Sequence, residues 1–79
     1  MSARVLFFGA TAEIVGKRDI DIAVSDGFTT DAALKEILNR FPGLISHKLH
    51  ISINQQYSTG NEIIHDGDEL AVFTAVSGG

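Results

Sequence analysis

Residues 30–41, TDAALKEILNRF, carry the clearest helical periodicity in the chain. Ala33, Leu34, Ile37, Leu38 and Phe41 recur at helical spacing and form one apolar stripe. Lys35, Glu36, Asn39 and Arg40 fall on the opposite side and are expected to face water. Thr30 suits the N-cap, and Asp31 in the first turn meets the positive end of the helix dipole. Pro42-Gly43 ends the helix.

A helix with one apolar stripe needs one apolar surface to cover, and the flanking segments supply strands. Residues 4–8 (RVLFF) are β-prone and bounded by Gly9. In residues 18–24, Ile20, Ile22 and Val24 alternate with Asp19 and Asp21, the mark of a half-buried strand. The connection Gly9–Lys17 is long for a hairpin, with room for a short helical turn in TAEIVG. After the helix, residues 48–54 (KLHISIN) alternate Leu49, Ile51 and Ile53 against Lys48, His50 and Ser52. Residues 54–61 are turn-rich, and Glu62–His65 is read as a short strand. Asp66-Gly67-Asp68 is a turn, since Gly accepts positive φ and Asp bonds local backbone. Glu69–Val76 is the last strand. The order is ββαββ with room for one short extra strand. The expected fold is α+β of the β-grasp, or ubiquitin-like, type: a mixed four- to five-stranded sheet with one main helix.

Seventy-nine residues make a single domain, 1–79, with one small core. Hydrophobic residues are 44% and charged residues 20%, which excludes a disordered chain. No apolar run approaches a membrane span, and MSARVLFF lacks the pattern of a signal peptide. Cysteine is absent, which excludes disulfides, thiolate metal sites and a catalytic thiol, and makes a cytoplasmic location the expectation. The net charge of −4 argues against a nucleic-acid binder and suits a basic protein partner.

One helix covers one face of a sheet, so the other face should be polar. The first and last strands break that rule. If Val5 and Phe7 face the helix, Leu6 and Phe8 face water; if Leu70 and Val72 do, Ala71 and Phe73 face water. These two strands are central neighbours in a β-grasp sheet, so Phe8 and Phe73 should lie close, with Tyr57 able to join them. An exposed apolar patch of this kind marks a partner surface. The alternative is that residues 54–64 fold over it.

The chain ends Ser77-Gly78-Gly79. Glycine contributes no packing and costs backbone entropy. At a terminus it gives a thin, flexible tail that can enter a narrow slot, with an unobstructed carboxylate. Such a carboxylate is a reagent once adenylation makes its carbonyl electrophilic. A frayed terminus is the other reading of the tail taken alone.

Tail and core motifs together go further. Val5-Leu6-Phe7-Phe8-Gly9, Ala12-Glu13-Ile14-Val15-Gly16, Phe41-Pro42-Gly43-Leu44, Ile53-Asn54-Gln55, Asp66-Gly67-Asp68-Glu69-Leu70-Ala71-Val72-Phe73 and Val76-Ser77-Gly78-Gly79 follow one another in an order that resembles the small subunit of molybdopterin synthase, the MoaD family. The sequence departs from some members at Ala12, where they have Arg, and at Thr74-Ala75, where they have two prolines. The resemblance implies that a ubiquitin-activating-like adenylyltransferase uses ATP to adenylate Gly79, and that a sulfur donor converts it to a thiocarboxylate. It implies that Val76, Ser77 and Gly78 thread into the large subunit, in a heterotetramer, to deliver sulfur to cyclic pyranopterin monophosphate. It also places Phe8, Tyr57 and Phe73 against the large subunit. Sulfur carriers of thiamin (thiazole) synthesis and tRNA thiolation share the fold and the Gly-Gly end, and a non-covalent ubiquitin-like binding module is the third reading.

Other constellations carry no chemistry. His47, His50 and His65 lack metal-ligand spacing and read as surface histidines. Asp66, Asp68 and Glu69 crowd one turn without a calcium-loop pattern. Asp19 and Asp21 read as a solvated face, and no serine has a base beside it. The chain itself is expected to hold no cofactor, no metal and no catalytic side-chain set.

Overall fold

The computed structural model describes residues 1–74. The expectations for Val76, Ser77, Gly78 and Gly79, and for the end of the last strand, lie outside the described residues. The elements run β1 (Ser2–Phe7), α1 (Ala10–Val15), β2 (Asp19–Ala23), α2 (Thr30–Arg40), a 3-10 turn (Pro42–Leu44), β3 (Leu49–Ile53), β4 (Gln56–Tyr57) and β5 (Glu69–Thr74). The sheet order is β2-β1-β5-β3-β4. β1 and β5 are the parallel pair and the others are antiparallel. This is the expected mixed β-grasp sheet with one main helix, and β1 and β5 are neighbours near its centre.

The core lies between the sheet and α2. Ala3, Val5 and Phe7 of β1, Ile22 of β2, Ile51 of β3, and Leu70 and Val72 of β5 meet Ala33 and Ile37 of α2. Leu44 and Ile64 close the ends. The helical stripe is narrower than its periodicity suggests: Leu34, Leu38 and Phe41 are only partly buried. Phe41 is still anchored, packing edge-on to Phe7 with ring centroids 5.9 Å apart.

The segment after β1 forms the short helix for which the sequence left room, α1, launched from Gly9 at φ 57° and ψ −129°. Side chains rarely adopt that backbone, so glycine is required there. The N-cap of α2 is Thr29, which has extended dihedrals and accepts a hydrogen bond from the Ala32 N–H at 3.2 Å. Thr30 is instead the first helical residue and is fully buried. Glu62–His65 is not a strand; Ile63 makes a single bridge to Thr29. The extra strand is β4, paired to β3 through a two-residue turn with Asn54 at φ 47° and Gln55 at φ 71°. Two positive φ values in that turn match the twist of the flanking strands. Finally, Glu36 is not free in water: one carboxylate oxygen is buried without a hydrogen-bond partner.

Candidate functional site

The register lays out the uncovered face as three rows across the strands. At one end Arg4 stands opposite Asp21 on one side and Glu69 on the other. In the middle Leu6 stands between Asp19 and Ala71, and Ala71 is followed by Ser52 and Tyr57. At the far end Phe73 stands opposite His50. Phe8, one step past the Phe7–Val72 pair, reaches the same level on its other side. The face therefore grades from charged to aromatic, and the aromatic end is where β5 runs on toward the C-terminus.

The rings at that end meet. Tyr57 and Phe73 have centroids 5.8 Å apart. His50 stacks on Phe73 at 5.7 Å with an interplanar angle of 24°, and meets Tyr57 edge-on at 6.5 Å. Phe8 pairs with none of these rings among the described residues, but it lines a groove of ≈ 300 Å³ with Leu6, Gln55, Ala71 and Phe73. A second concavity of ≈ 460 Å³, lined by Leu6, Phe8, Ala12 and Arg18 among others, opens on its other side. Phe8 is 52% exposed and Tyr57 76% exposed. Phe73 is half-buried by its neighbours. Phe8, Tyr57 and Phe73 thus share one surface, as the alternation of the strands requires.

Residues 58–64 do not cover it. They turn to the start of α2, where Glu62 organises them. Its carboxylate accepts from the Ser58 hydroxyl at 2.6 Å, the Thr30 hydroxyl at 3.2 Å, the Thr59 N–H at 3.0 Å and the Gly60 N–H at 3.2 Å. The Ser58 hydroxyl bond and the Thr59 N–H hold the Glu62 carboxyl down at about 2, against an ordinary 4.5. The backbone adds Thr30 N–H to the Glu62 carbonyl at 2.9 Å and Ile64 N–H to the Phe28 carbonyl at 2.8 Å. This polar knot leaves the aromatic end open.

The acidic turn has a local use. Asp68 accepts from the His65 N–H at 2.8 Å and the Asn54 side-chain amide at 3.1 Å, bonds that lower its pKa in that order. The Asn54 side-chain oxygen in turn accepts from the Glu69 N–H at 3.1 Å. The β3–β4 turn is thereby tied to the start of β5. Among the described residues no group of three or more His, Asp or Glu is placed to hold a metal ion. No helix among them is long and apolar enough to cross a membrane.

Two residues of the site were not singled out by the sequence. His50 read as an isolated surface histidine, because alternation places it on the outer face without saying that Phe73 lies opposite. Thr11 carried no signal of its own. Its side chain is fully buried, and its hydroxyl reaches the backbone of both Phe8 and Val72.

Residues 5–79 match the ThiS family. A molybdopterin synthase sulfur carrier subunit of Arabidopsis thaliana is 32% identical over 96% of this chain and 81% of that protein. The crystal structure of SAMP1 from Haloferax volcanii superimposes with a TM-score of 0.87 at 28% identity, covering all of both chains. One chain from a complex of subunits 1 and 2 of the molybdopterin-converting factor of Helicobacter pylori superimposes with a TM-score of 0.70 at 26% identity, again over all of both chains.

Proposed function

Because this chain belongs to the ThiS family and matches molybdopterin synthase sulfur carrier subunits over nearly its whole length, we propose that it carries sulfur on the C-terminal carboxylate of Gly79 for molybdopterin synthesis. The observation that carries the reading is one strand with two duties. β5 sets Phe73 in the open aromatic row, and the sequence leads from its last residue, Thr74, straight to Ser77-Gly78-Gly79. A partner seated on the row would meet the strand whose sequence continues to the terminus.

The chemistry follows from the carboxylate, which is ionised and unreactive at neutral pH. A ubiquitin-activating-like adenylyltransferase joins it to the α-phosphorus of ATP, and pyrophosphate leaves. Hydrosulfide supplied by the sulfur donor then attacks the carbonyl carbon, AMP leaves, and a thiocarboxylate remains. Val76, Ser77 and Gly78 thread that group into the large subunit, two copies of this chain serving a dimeric partner in the cytoplasm. There it gives its sulfur to cyclic pyranopterin monophosphate. The complexed subunits from Helicobacter pylori support a protein partner of this kind. With no cysteine in the chain, sulfur has only the main-chain terminus to ride on covalently.

Deleting Gly79 should abolish sulfur transfer while the fold, measured by circular dichroism and thermal unfolding, stays as it was. Retained transfer would reject the proposal. The match to the ThiS family, and the fold and Gly-Gly end shared with other sulfur carriers, support a second reading, a sulfur carrier for thiamin synthesis or tRNA thiolation. A strain lacking the protein separates the two. Loss of molybdoenzyme activity alone assigns the first, and loss of thiamin synthesis or tRNA thiolation assigns the second. A non-covalent binding module would lose nothing when residues are appended after Gly79, whereas both sulfur-carrier readings require that extension to block activity.

A further inference from the structure

We propose that Thr11 is a positioning residue for partner docking: its buried hydroxyl locks Phe8 and β5 together, so that the aromatic row is presented as one surface. The inference rests on the reading that this row docks the large subunit.

Phe8 needs such a lock. It lies one residue beyond β1, and the chain leaves it through Gly9 at φ 57° to reverse into α1. Its ring is half-exposed, so core packing does not hold it. Its backbone does. The Phe8 N–H donates to the Val72 carbonyl at 3.2 Å and to the Thr11 hydroxyl oxygen at 3.1 Å. The Phe8 carbonyl accepts from the Thr11 N–H at 3.2 Å and from the Thr11 hydroxyl at 2.7 Å. The same hydroxyl lies 3.0 Å from the Val72 carbonyl, the residue before Phe73. One side chain therefore joins the two segments that carry the row, next to Phe8, which pairs with none of the other rings among the described residues. Valine has the shape of threonine but neither donates nor accepts. It would remove the hydroxyl contacts to Phe8 and Val72 and leave Phe8 held only by its N–H to the Val72 carbonyl and its carbonyl to the Thr11 N–H.

The test compares T11V, T11S and the core variant I37V, which removes a methylene far from the row. Affinity for the purified large subunit is measured by calorimetry on folded protein, and exchange of the Phe8 amide proton by NMR. T11V should weaken binding about tenfold, an effect in the range of one lost buried hydrogen bond, and speed exchange of the Phe8 amide, which keeps its bond to the Val72 carbonyl but loses the Thr11 hydroxyl. T11S should stay within about twofold of the parent on both readouts, because it keeps the hydroxyl. I37V should lower the unfolding temperature and leave affinity unchanged. Parent-like affinity in T11V, or equal affinity loss in T11V and I37V, would overturn the assignment. Should T11V not fold, T11A takes its place beside T11S: binding weaker in T11A than in T11S supports the lock, and equal binding in the two overturns it. F73D separates the premise: if it binds like the parent, the row is not the docking surface and both ideas fall. If F73D loses binding and T11V does not, only the role of Thr11 falls.

Discussion

Val5, Leu70 and Val72 are fully buried beneath α2, whereas Leu6, Ala71 and Phe73, one residue along the same strands, stay partly in water. Strand geometry forces the alternation, since successive side chains point to opposite faces. It does not force the second set to be apolar. β2 shows the ordinary solution, with Asp19 and Asp21 outward and Ile22 inward. β1 and β5 depart from it at the end where the chain continues to Gly79. Rings left open there bury less surface than the inner face does, so the inner face accounts for most of the stability, and the proposed docking reading assigns the outer face to recognition.

The comparison breaks most easily on the inner face. Ile37→Ala should cost about 2–5 kcal/mol in denaturant unfolding, the range for truncating a fully buried aliphatic side chain. A domain of this size holds only about 4–12 kcal/mol in all. On the outer face Phe73→Asp should weaken large-subunit binding by at least about 2 kcal/mol, as for an interface hot spot. Its effect on unfolding should stay within about 1 kcal/mol. If Phe73→Asp unfolds the chain, Phe73 belongs to the core and the division of labour is wrong.

Acid should act not on the buried face but on the two carboxylates held low by hydrogen bonds, Asp68 before β5 and, most strongly, Glu62 in the knot at the start of α2. Glu62 titrates at about 2 when folded and near 4.5 when its partners are gone. The unfolded chain therefore binds more protons between those values. The stability Glu62 contributes is complete above about pH 4.5 and is lost as pH falls toward 2. Glu62→Gln should flatten that acid limb in unfolding curves measured from pH 6 to 2, and leave partner binding at neutral pH unchanged. An acid limb identical to the parent's would show that the knot is not the titrating element. The smallest effect belongs to the rim. Gln55 sits at φ 71° in the β3–β4 turn. Gln55→Gly should relieve that backbone by about 0.5–1 kcal/mol, seen as a small rise in unfolding temperature. A fall would show that the Gln55 side chain holds the turn.

Much of this was legible in the residues. The stripe of α2 and the alternation of β2 and β3 depend on local periodicity alone, and β1 and β5 announced their double-sided character by placing Leu6 and Phe8, and Ala71 and Phe73, where polar residues would alternate. From that came the sheet, its central pair and the open face with Phe8, Tyr57 and Phe73. What local pattern misses is contact at a distance. Thr29 and Thr30 are equivalent as caps until Glu62 and Ser58 arrive from residues some thirty positions on and claim Thr30. Glu62–His65 has strand-like residues, but they follow Glu62 to α2 and leave the strand position to Gln56–Tyr57. His50 gains meaning only when register places Phe73 opposite it. The Gly-Gly end read two ways on its own, as a reagent or as a frayed terminus, and only the resemblance of the whole chain chose between them.

The central claim is that Gly79 is the reagent. Intact-mass spectrometry after incubation with ATP, a ubiquitin-activating-like enzyme and a sulfur source tests it most directly. The account predicts that one terminal oxygen is replaced by sulfur, with the change mapped to Gly79. An unchanged mass with a competent activating enzyme from each of the molybdopterin, thiamin and tRNA-thiolation pathways would contradict it, and would leave the aromatic row as the surface of a plain binding module.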